Sequence, residues 1–194
     1  MRGIALSVSF MLVALSVVAV APAAAQTPAP PATPTPAPAP APSTGGAAYG
    51  VVFQPTSPGL VAQFVNGMAY APEQAPDAVK QAIWAANQIV GLPYRMGGGH
   101  KLTFFDKAYD CSGTVSFALH GASLLARPRD SSSFLRYGQA GKGAWITIYT
   151  NPGHIFMFVA GLRFDTSGRG RAGTRWQVNT RTTSGFAVRH FPGL

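Results

Sequence analysis

The sequence predicts an α+β fold in which helices precede a small antiparallel sheet. Two observations lead to this class. Residues 76–125 hold two segments with apolar side chains at helical spacing, and residues 144–190 hold short runs of β-branched and aromatic residues separated by turn sequences. Helices followed by strands favour an antiparallel sheet over the alternating pattern of a parallel one.

The N-terminal segment of the 194-residue sequence has the pattern of an export signal. Arg2 precedes a mostly apolar run over residues 4–20, and three alanines precede Gln26. We expect residues 1–25 to be a signal peptide, the alternative being an uncut N-terminal membrane anchor, for which the apolar run is short. Residues 26–46 are rich in Pro, Ala and Thr, which predicts an extended linker.

The rest of the chain is expected to form one domain, with an N-terminal extension over residues 47–75 and the main part over residues 76–194. That length can bury a core without disulfides. No segment of it is apolar enough to cross a membrane, so we expect no stable membrane span once the signal is removed.

The secondary structure follows from periodicity and turn residues. A first helix is predicted over residues 76–90, and a second helix starts at Asp110-Cys111-Ser112, with Asp110 as its N-cap, and runs to about residue 125. A short helix is expected over residues 133–137. Strands are expected over residues 144–149, 154–160 and 162–165, with weaker candidates at 175–178 and 186–190.

Cys111 is the only cysteine, so it cannot form an internal disulfide. In an exported protein it is therefore either an inert core residue or a reactive thiol. Its predicted position in the first turn of a helix favours the second interpretation, because unpaired amides and the helix dipole stabilise a thiolate there.

A thiolate nucleophile usually works with a histidine base, and the chain has four histidines. His120 lies nine residues from Cys111 on the predicted helix, about half a turn out of phase, so it faces away. His100 lies in a glycine-rich loop and could approach, and His190 is expected on a surface strand. His154 opens the most apolar strand after a turn sequence and is the best candidate base on position.

A third residue would orient the imidazole ring of His154. Asp165 follows on the next predicted strand, and across an even-length hairpin positions 154 and 165 have the parity to share a face. A simple ion pair with the neighbouring arginines is the alternative interpretation of Asp165.

These segments resemble the NlpC-type family of bacterial cell-wall cysteine peptidases. Residues 91–98, GLPYRMGG, are similar to its opening block, and residues 109–115, YDCSGTV, to its nucleophile block. Residues 153–159, GHIFMFV, are similar to its base block, and residues 128–131, PRDS, to a short stretch between them.

The resemblance implies a papain-like fold with the Cys111 helix packed on the sheet, and an NlpC-like catalytic domain over residues 76–194. It implies cleavage of peptidoglycan stem peptides, commonly between D-glutamate and a diamino acid, by a protein that is secreted, periplasmic or wall-associated. Cys111 would attack, His154 would act as base and then acid, and Asp165 would hold His154. Tyr94 and Ser112 match substrate-binding positions, and neither a cofactor nor a metal is expected.

Two alternatives remain open. The same Cys–His pair would serve an amidase or an acyl-transfer enzyme, and a wall-binding module could keep the cleft without turnover.

The formal charge is +9, with six acidic residues and none after Asp165. This imbalance favours a polyanionic partner, and in an exported protein wall polymers and peptide carboxylates are better candidates than nucleic acid. We therefore expect peptidoglycan as partner, anionic wall polymers as a further possibility held by Arg169, Arg171 and Arg175, and no nucleic acid. Solubility alone is the other explanation of the charge.

Overall fold

A computed structural model describes residues 56–194. The predicted signal peptide, residues 1–25, and linker, residues 26–46, lie outside the described residues, as does the start of the extension. Across residues 56–194, every helix is too short or too polar to span a bilayer.

Helix α1 is Asp77–Gln88. It begins one residue later than predicted, because Pro76 is its N-cap, and it ends two residues earlier, because Ile89 leaves helical geometry. Pro76 precedes its first turn, and one face of the helix is buried through Val79, Ile83 and Ala86. The pattern of apolar residues thus predicted both the helix and its inner face.

Helix α2 is Cys111–Gly121 and begins where the sequence predicts. It ends four residues before the predicted end because the chain turns at Ala122 and Ser123, which has a φ of 59°. Its residues from Ser112 to Leu119 are all buried, so α2 is a central helix with its N-terminal end at the surface. A 3₁₀ helix, Ser133–Arg136, follows.

The main sheet has six strands. They are β4 (Gln139–Ala140), β5 (Ile146–Asn151), β6 (His154–Val159), β7 (Leu162–Phe164), β8 (Trp176–Gln177) and β9 (Ala187–His190), with the short helix α3 (Arg169–Ala172) between β7 and β8. Their spatial order is β4-β9-β5-β6-β7-β8, and every pair is antiparallel. The C-terminal strand β9 therefore lies inside the sheet, between β4 and β5.

A second, smaller sheet comes from the extension and was not predicted. It consists of β1 (Thr56–Ser57), β2 (Gln63–Val65) and β3 (Met68–Pro72), in the order β1-β3-β2. Asn87 of α1 fixes it, because its side-chain amide donates to the Ala69 carbonyl at 2.8 Å and accepts from the Ala69 amide at 3.0 Å. Asn87 also accepts from Trp176 Nε1 at 2.7 Å, so one buried side chain joins both sheets to α1.

One hydrophobic core joins α1, α2 and the main sheet. Its fully buried large side chains include Ile83, Leu119, Phe134, Phe164 and Trp176. The Cys111 helix packs on strand β6 of an antiparallel sheet, as predicted, and the α+β fold class is confirmed.

Candidate active site

Cys111 is the first residue of α2 and is a half-buried free thiol. Asp110 caps the helix, and its Oδ1 accepts a hydrogen bond from the Gly113 amide at 2.7 Å. The predicted N-cap is therefore confirmed. The thiol lies at the positive end of the helix dipole, which favours its anionic form.

The glycine-rich loop packs directly against the start of α2. A Cβ on Gly113 would overlap the Gly98 carbonyl oxygen, and a Cβ on Gly98 would overlap the Ala108 carbonyl. The Gly97 amide donates to Asp110 Oδ2 at 2.9 Å. The glycines of the two motifs thus allow a backbone contact that locks the loop to the helix carrying Cys111.

His154 begins β6 immediately after a two-residue turn, where it pairs with Asn151. The Asn151 side chain accepts from the backbone amides of Gly153 at 3.0 Å and His154 at 2.8 Å. Ser131 donates to the Pro152 carbonyl at 3.0 Å. These bonds fix the turn and with it the position of the His154 side chain.

The structure brings His154 and Asp165 into contact. Nε2 of His154 donates to Oδ1 of Asp165 at 2.9 Å, and Asp165 is 1% exposed. The β6–β7 register pairs Met157 with Phe164, so its extension sets residue 165 opposite Phe156. His154 shares that face, as the parity argument predicts.

Asp165 is held by further donors. The Ser167 amide donates to Oδ1 at 2.7 Å and Arg181 Nη1 donates to Oδ2 at 2.8 Å. The Arg181 guanidinium lies over the Phe156 ring at 4.6 Å and the Phe186 ring at 5.5 Å. The sequence alone did not predict Arg181 as a partner of Asp165; its indication was an isolated acid followed by arginines.

These contacts set the charges of the pair. Burial lowers the pKa of His154, but its hydrogen bonds to Asp165 and to the Cys111 thiol, together with their negative charge, raise it overall to about 9. Burial raises the pKa of Asp165, yet its bonds from His154, Arg181 and Ser167 hold it below its usual value. With Nε2 bonded to Asp165, Nδ1 is the imidazole nitrogen left for Cys111, so at neutral pH the ring is a cation between a carboxylate and the thiol.

Tyr94 lies beside the same centre. It is 47% exposed, and burial together with the nearby charges of Cys111 and Asp110 raises its pKa. Ser112 is buried, and its hydroxyl donates to Asp110 Oδ1 at 3.1 Å. Tyr94 is therefore placed to meet a bound molecule, whereas Ser112 supports the helix cap.

The remaining histidines have other contacts. His100 Nε2 lies 3.0 Å from Asp110 Oδ1 and 3.3 Å from Ser112 Oγ, and the bond to Asp110 raises the pKa of His100. The His120 ring stacks on Phe104 with centroids 3.7 Å apart. His190 lies on β9, with Nδ1 3.1 Å from the Gly141 carbonyl oxygen.

The expectation that Arg175 holds wall polymer is wrong. Arg175 is fully buried, and its guanidinium donates to backbone carbonyls at the end of α1 and before α2. Its acceptors are Ile89, Val90, Leu92, Pro93 and Tyr109, together with the Thr114 hydroxyl. Arg175 therefore connects the end of α1 to the start of α2 through buried hydrogen bonds.

Arg169 and Arg171 differ from each other. Arg169 donates to the Gly91 carbonyl at 2.9 Å, while the Arg171 side chain is exposed.

Within residues 56–194, no group of three or more His, Cys, Asp or Glu side chains is arranged to hold a metal ion.

No protein-family model and no curated protein matches this chain. Several solved structures are similar to it, among them the following three. NlpC1 from Trichomonas vaginalis is 19% identical with a TM-score of 0.44, and the match covers 61% of this chain and 45% of that one. This chain thus spans less than half of that protein.

The second is the P60 domain of an antigen from M. avium subspecies paratuberculosis, 19% identical with a TM-score of 0.42, covering 58% of this chain and 94% of that one. The third is a hypothetical invasion protein of Mycobacterium tuberculosis, which is 20% identical with a TM-score of 0.43. The match covers 68% of this chain and 71% of that one.

Proposed function

We propose that this protein is an exported cysteine peptidase that cleaves peptide bonds in peptidoglycan stem peptides. The observation that carries the proposal is the His154 ring, bonded through Nε2 to the buried Asp165 carboxylate and interacting with the Cys111 thiol at the start of α2. A nucleophile, a base and an orienting carboxylate in this order are what acyl transfer requires.

The proposed chemistry has two steps. The Cys111 thiolate attacks the scissile carbonyl carbon, and the His154 imidazolium gives its proton to the leaving amine as the C–N bond breaks, which leaves a thioester. Neutral His154 then takes a proton from water, the hydroxide attacks the thioester, and the Cys111 thiolate leaves. Asp165 keeps the ring in position and stabilises its positive charge throughout.

The substrate class comes from the motif resemblance and the charge of the chain. Three blocks resemble the NlpC-type family in the family's order, and the net charge of +9 suits a substrate bearing carboxylates. The bond we propose joins D-glutamate to a diamino acid. Tyr94, half exposed beside Cys111, is proposed to line the cleft for this peptide.

The test is mass analysis of purified peptidoglycan after incubation with the full chain. We expect new stem fragments that end at D-glutamate together with fragments that begin at the diamino acid. Cys111→Ala and His154→Ala should release neither, with a loss of about 100-fold or more for His154→Ala. His120→Phe, which keeps a ring against Phe104, should retain turnover.

The same experiment separates the alternatives. Release of whole stem peptides from the glycan would identify an amidase, and transfer to an added amine would identify an acyl-transfer enzyme. Binding to the wall that is equal for wild type and Cys111→Ala, with no fragment released, would identify a wall-binding module. Each result would replace the endopeptidase proposal.

A further inference from the structure

A cavity of about 510 Å³ lies close to Asp165, because two of the residues that line it pair with that carboxylate. Three arginines line it, Arg163, Arg171 and Arg181, and none of its lining residues is acidic. Ser167, Asn179 and Thr180 add hydroxyl and amide groups. This volume is in the range of sites that hold an amino acid or the end of a short peptide.

The charges around the cavity do not balance. Asp165 is the carboxylate that pairs with Arg163 and Arg181, and it already receives hydrogen bonds from His154 and Arg181. Arg163 is 6% exposed, and its Nε lies 3.7 Å from Asp165 Oδ2 without a hydrogen-bond partner among residues 56–194. Burying a guanidinium with incomplete neutralisation is costly unless an anion completes the site.

Hydrogen bonds connect the wall of the cavity to His154. Arg181 lines the cavity and is bonded to Asp165 at 2.8 Å, and Asp165 is bonded to His154 at 2.9 Å. Only one side chain therefore separates the cavity wall from His154. In the proposed reaction the molecule bound next to His154 is a stem peptide, which carries free carboxylates.

The geometry points to a subsite for a free carboxylate of the substrate peptide, bound by Arg171 and Arg181 with Arg163 behind them. This inference rests on the proposed function, since it names the chemical feature by which the same site selects its substrate. Guanidinium groups bind carboxylates through paired hydrogen bonds, and Ser167 and Thr180 supply additional donors.

The test compares a soluble stem tripeptide in two forms, one with free carboxyl groups and one with those groups capped as amides. Binding to the full chain carrying Cys111→Ala is measured by calorimetry, so that the result does not depend on turnover. We expect the acid form to bind about tenfold more tightly than the amide form, the usual size of a charge-assisted contact.

Arg171→Gln is the informative variant, because Arg171 is exposed and lacks the direct contact with Asp165 that Arg163 and Arg181 have. It should remove the preference for the acid form and keep the thermal stability. Arg127→Gln removes an equally exposed charge outside the cavity and should keep the preference.

Each outcome decides the inference. Equal binding of the two forms overturns it, even if the chain cleaves both. If the acid form binds more tightly but the wild-type chain, which keeps Cys111, does not cleave it, the result supports the subsite and overturns the proposed function. Inorganic phosphate that binds in an Arg171-dependent manner while the acid peptide does not would assign the cavity to phosphate and overturn the carboxylate assignment.

Discussion

The ionisation of His154 determines when the proposed reaction can run. Its pKa of about 9 means that the imidazolium persists through neutral pH and is lost as the pH rises through about 9. The leaving amine needs that proton, so kcat/KM on a soluble stem peptide should fall above about pH 9. A pH–rate profile that is flat to pH 10 would contradict the assignment of His154 as the acid.

Asp165 acts on His154 through position and charge. Asp165→Asn keeps an acceptor for Nε2 but removes the negative charge that raises the pKa of His154, so the alkaline limit should move to lower pH while turnover is partly retained. Asp165→Ala loses both and should be about tenfold or more worse than Asp165→Asn.

Kinetics of the two variants on one peptide, each checked for folding, measure the difference. Equal activity of both variants would transfer the orienting role to another group. If the alkaline limit of kcat/KM in Asp165→Asn equalled that of the wild type, the carboxylate would not set the charge of the His154 ring.

The contact of Asp165 with His154 could be predicted because strand parity is a local rule. Alternation of side chains along two adjacent strands brought positions 154 and 165 to one face without knowledge of the rest of the fold. Arg175 and Arg181 could not be placed in that way. A buried arginine and an exposed one look alike in sequence, because their difference lies in carbonyl and carboxylate groups that only the folded chain gathers.

The contact between the glycine-rich loop and α2 can be tested by adding a Cβ at Gly113. Gly113→Ala places a Cβ against the Gly98 carbonyl oxygen and should lower the free energy of unfolding by about 1–3 kcal/mol, and it should displace Cys111. Denaturant unfolding and turnover measure the two effects.

Gly170→Ala is the matched control, because a Cβ at Gly170 of α3 meets nothing within 4 Å and its φ is not positive. It should leave both the stability and the turnover unchanged. If the two variants behaved alike, the close approach of Gly98 to α2 would be wrong.

Arg175 links the end of α1 to the start of α2. Arg175→Met fills the space but leaves several buried carbonyls without donors, so the free energy of unfolding should fall by about 3 kcal/mol or more. Arg175→Lys should recover only part of this, because one ammonium cannot reach both groups of acceptors. Arg127→Met, at an exposed position, should cost about 0.5 kcal/mol or less.

The long periodic elements were predicted, whereas strands β1 to β4 were not. Helices α1 and α2 carry apolar positions over several turns, so their existence was predicted correctly and their starts to within one residue. Strands β1 and β4 have two residues each, which is too short for an alternating pattern, and they exist because of pairing with β3 and β9. Their partners are distant in sequence, so only the tertiary structure specifies them.

The charge of the whole chain should govern its adhesion to the wall. With a net charge of +9, binding to insoluble wall should weaken steeply between 0.1 M and 1 M salt, as the Debye length falls from about 10 Å to about 3 Å. Cleavage of a small soluble peptide should change much less, since it depends on the cleft at Cys111. Co-sedimentation with insoluble wall measures the binding, and peptide turnover at the same salt concentrations measures the cleavage. Co-sedimentation that does not depend on salt would exclude an electrostatic origin of the binding.

The position of β9 has a consequence for the order in which the molecule can be made. Synthesis delivers this strand after the other five strands of the main sheet, yet it pairs with β5 on one side and β4 on the other. Until residue 190 is free to pair, β5 keeps an open edge and β4 has no partner in the sheet. The strand that presents His154 therefore belongs to a sheet that is completed only after residue 190 has been made, so a growing chain that stops before β9 should lack the complete sheet.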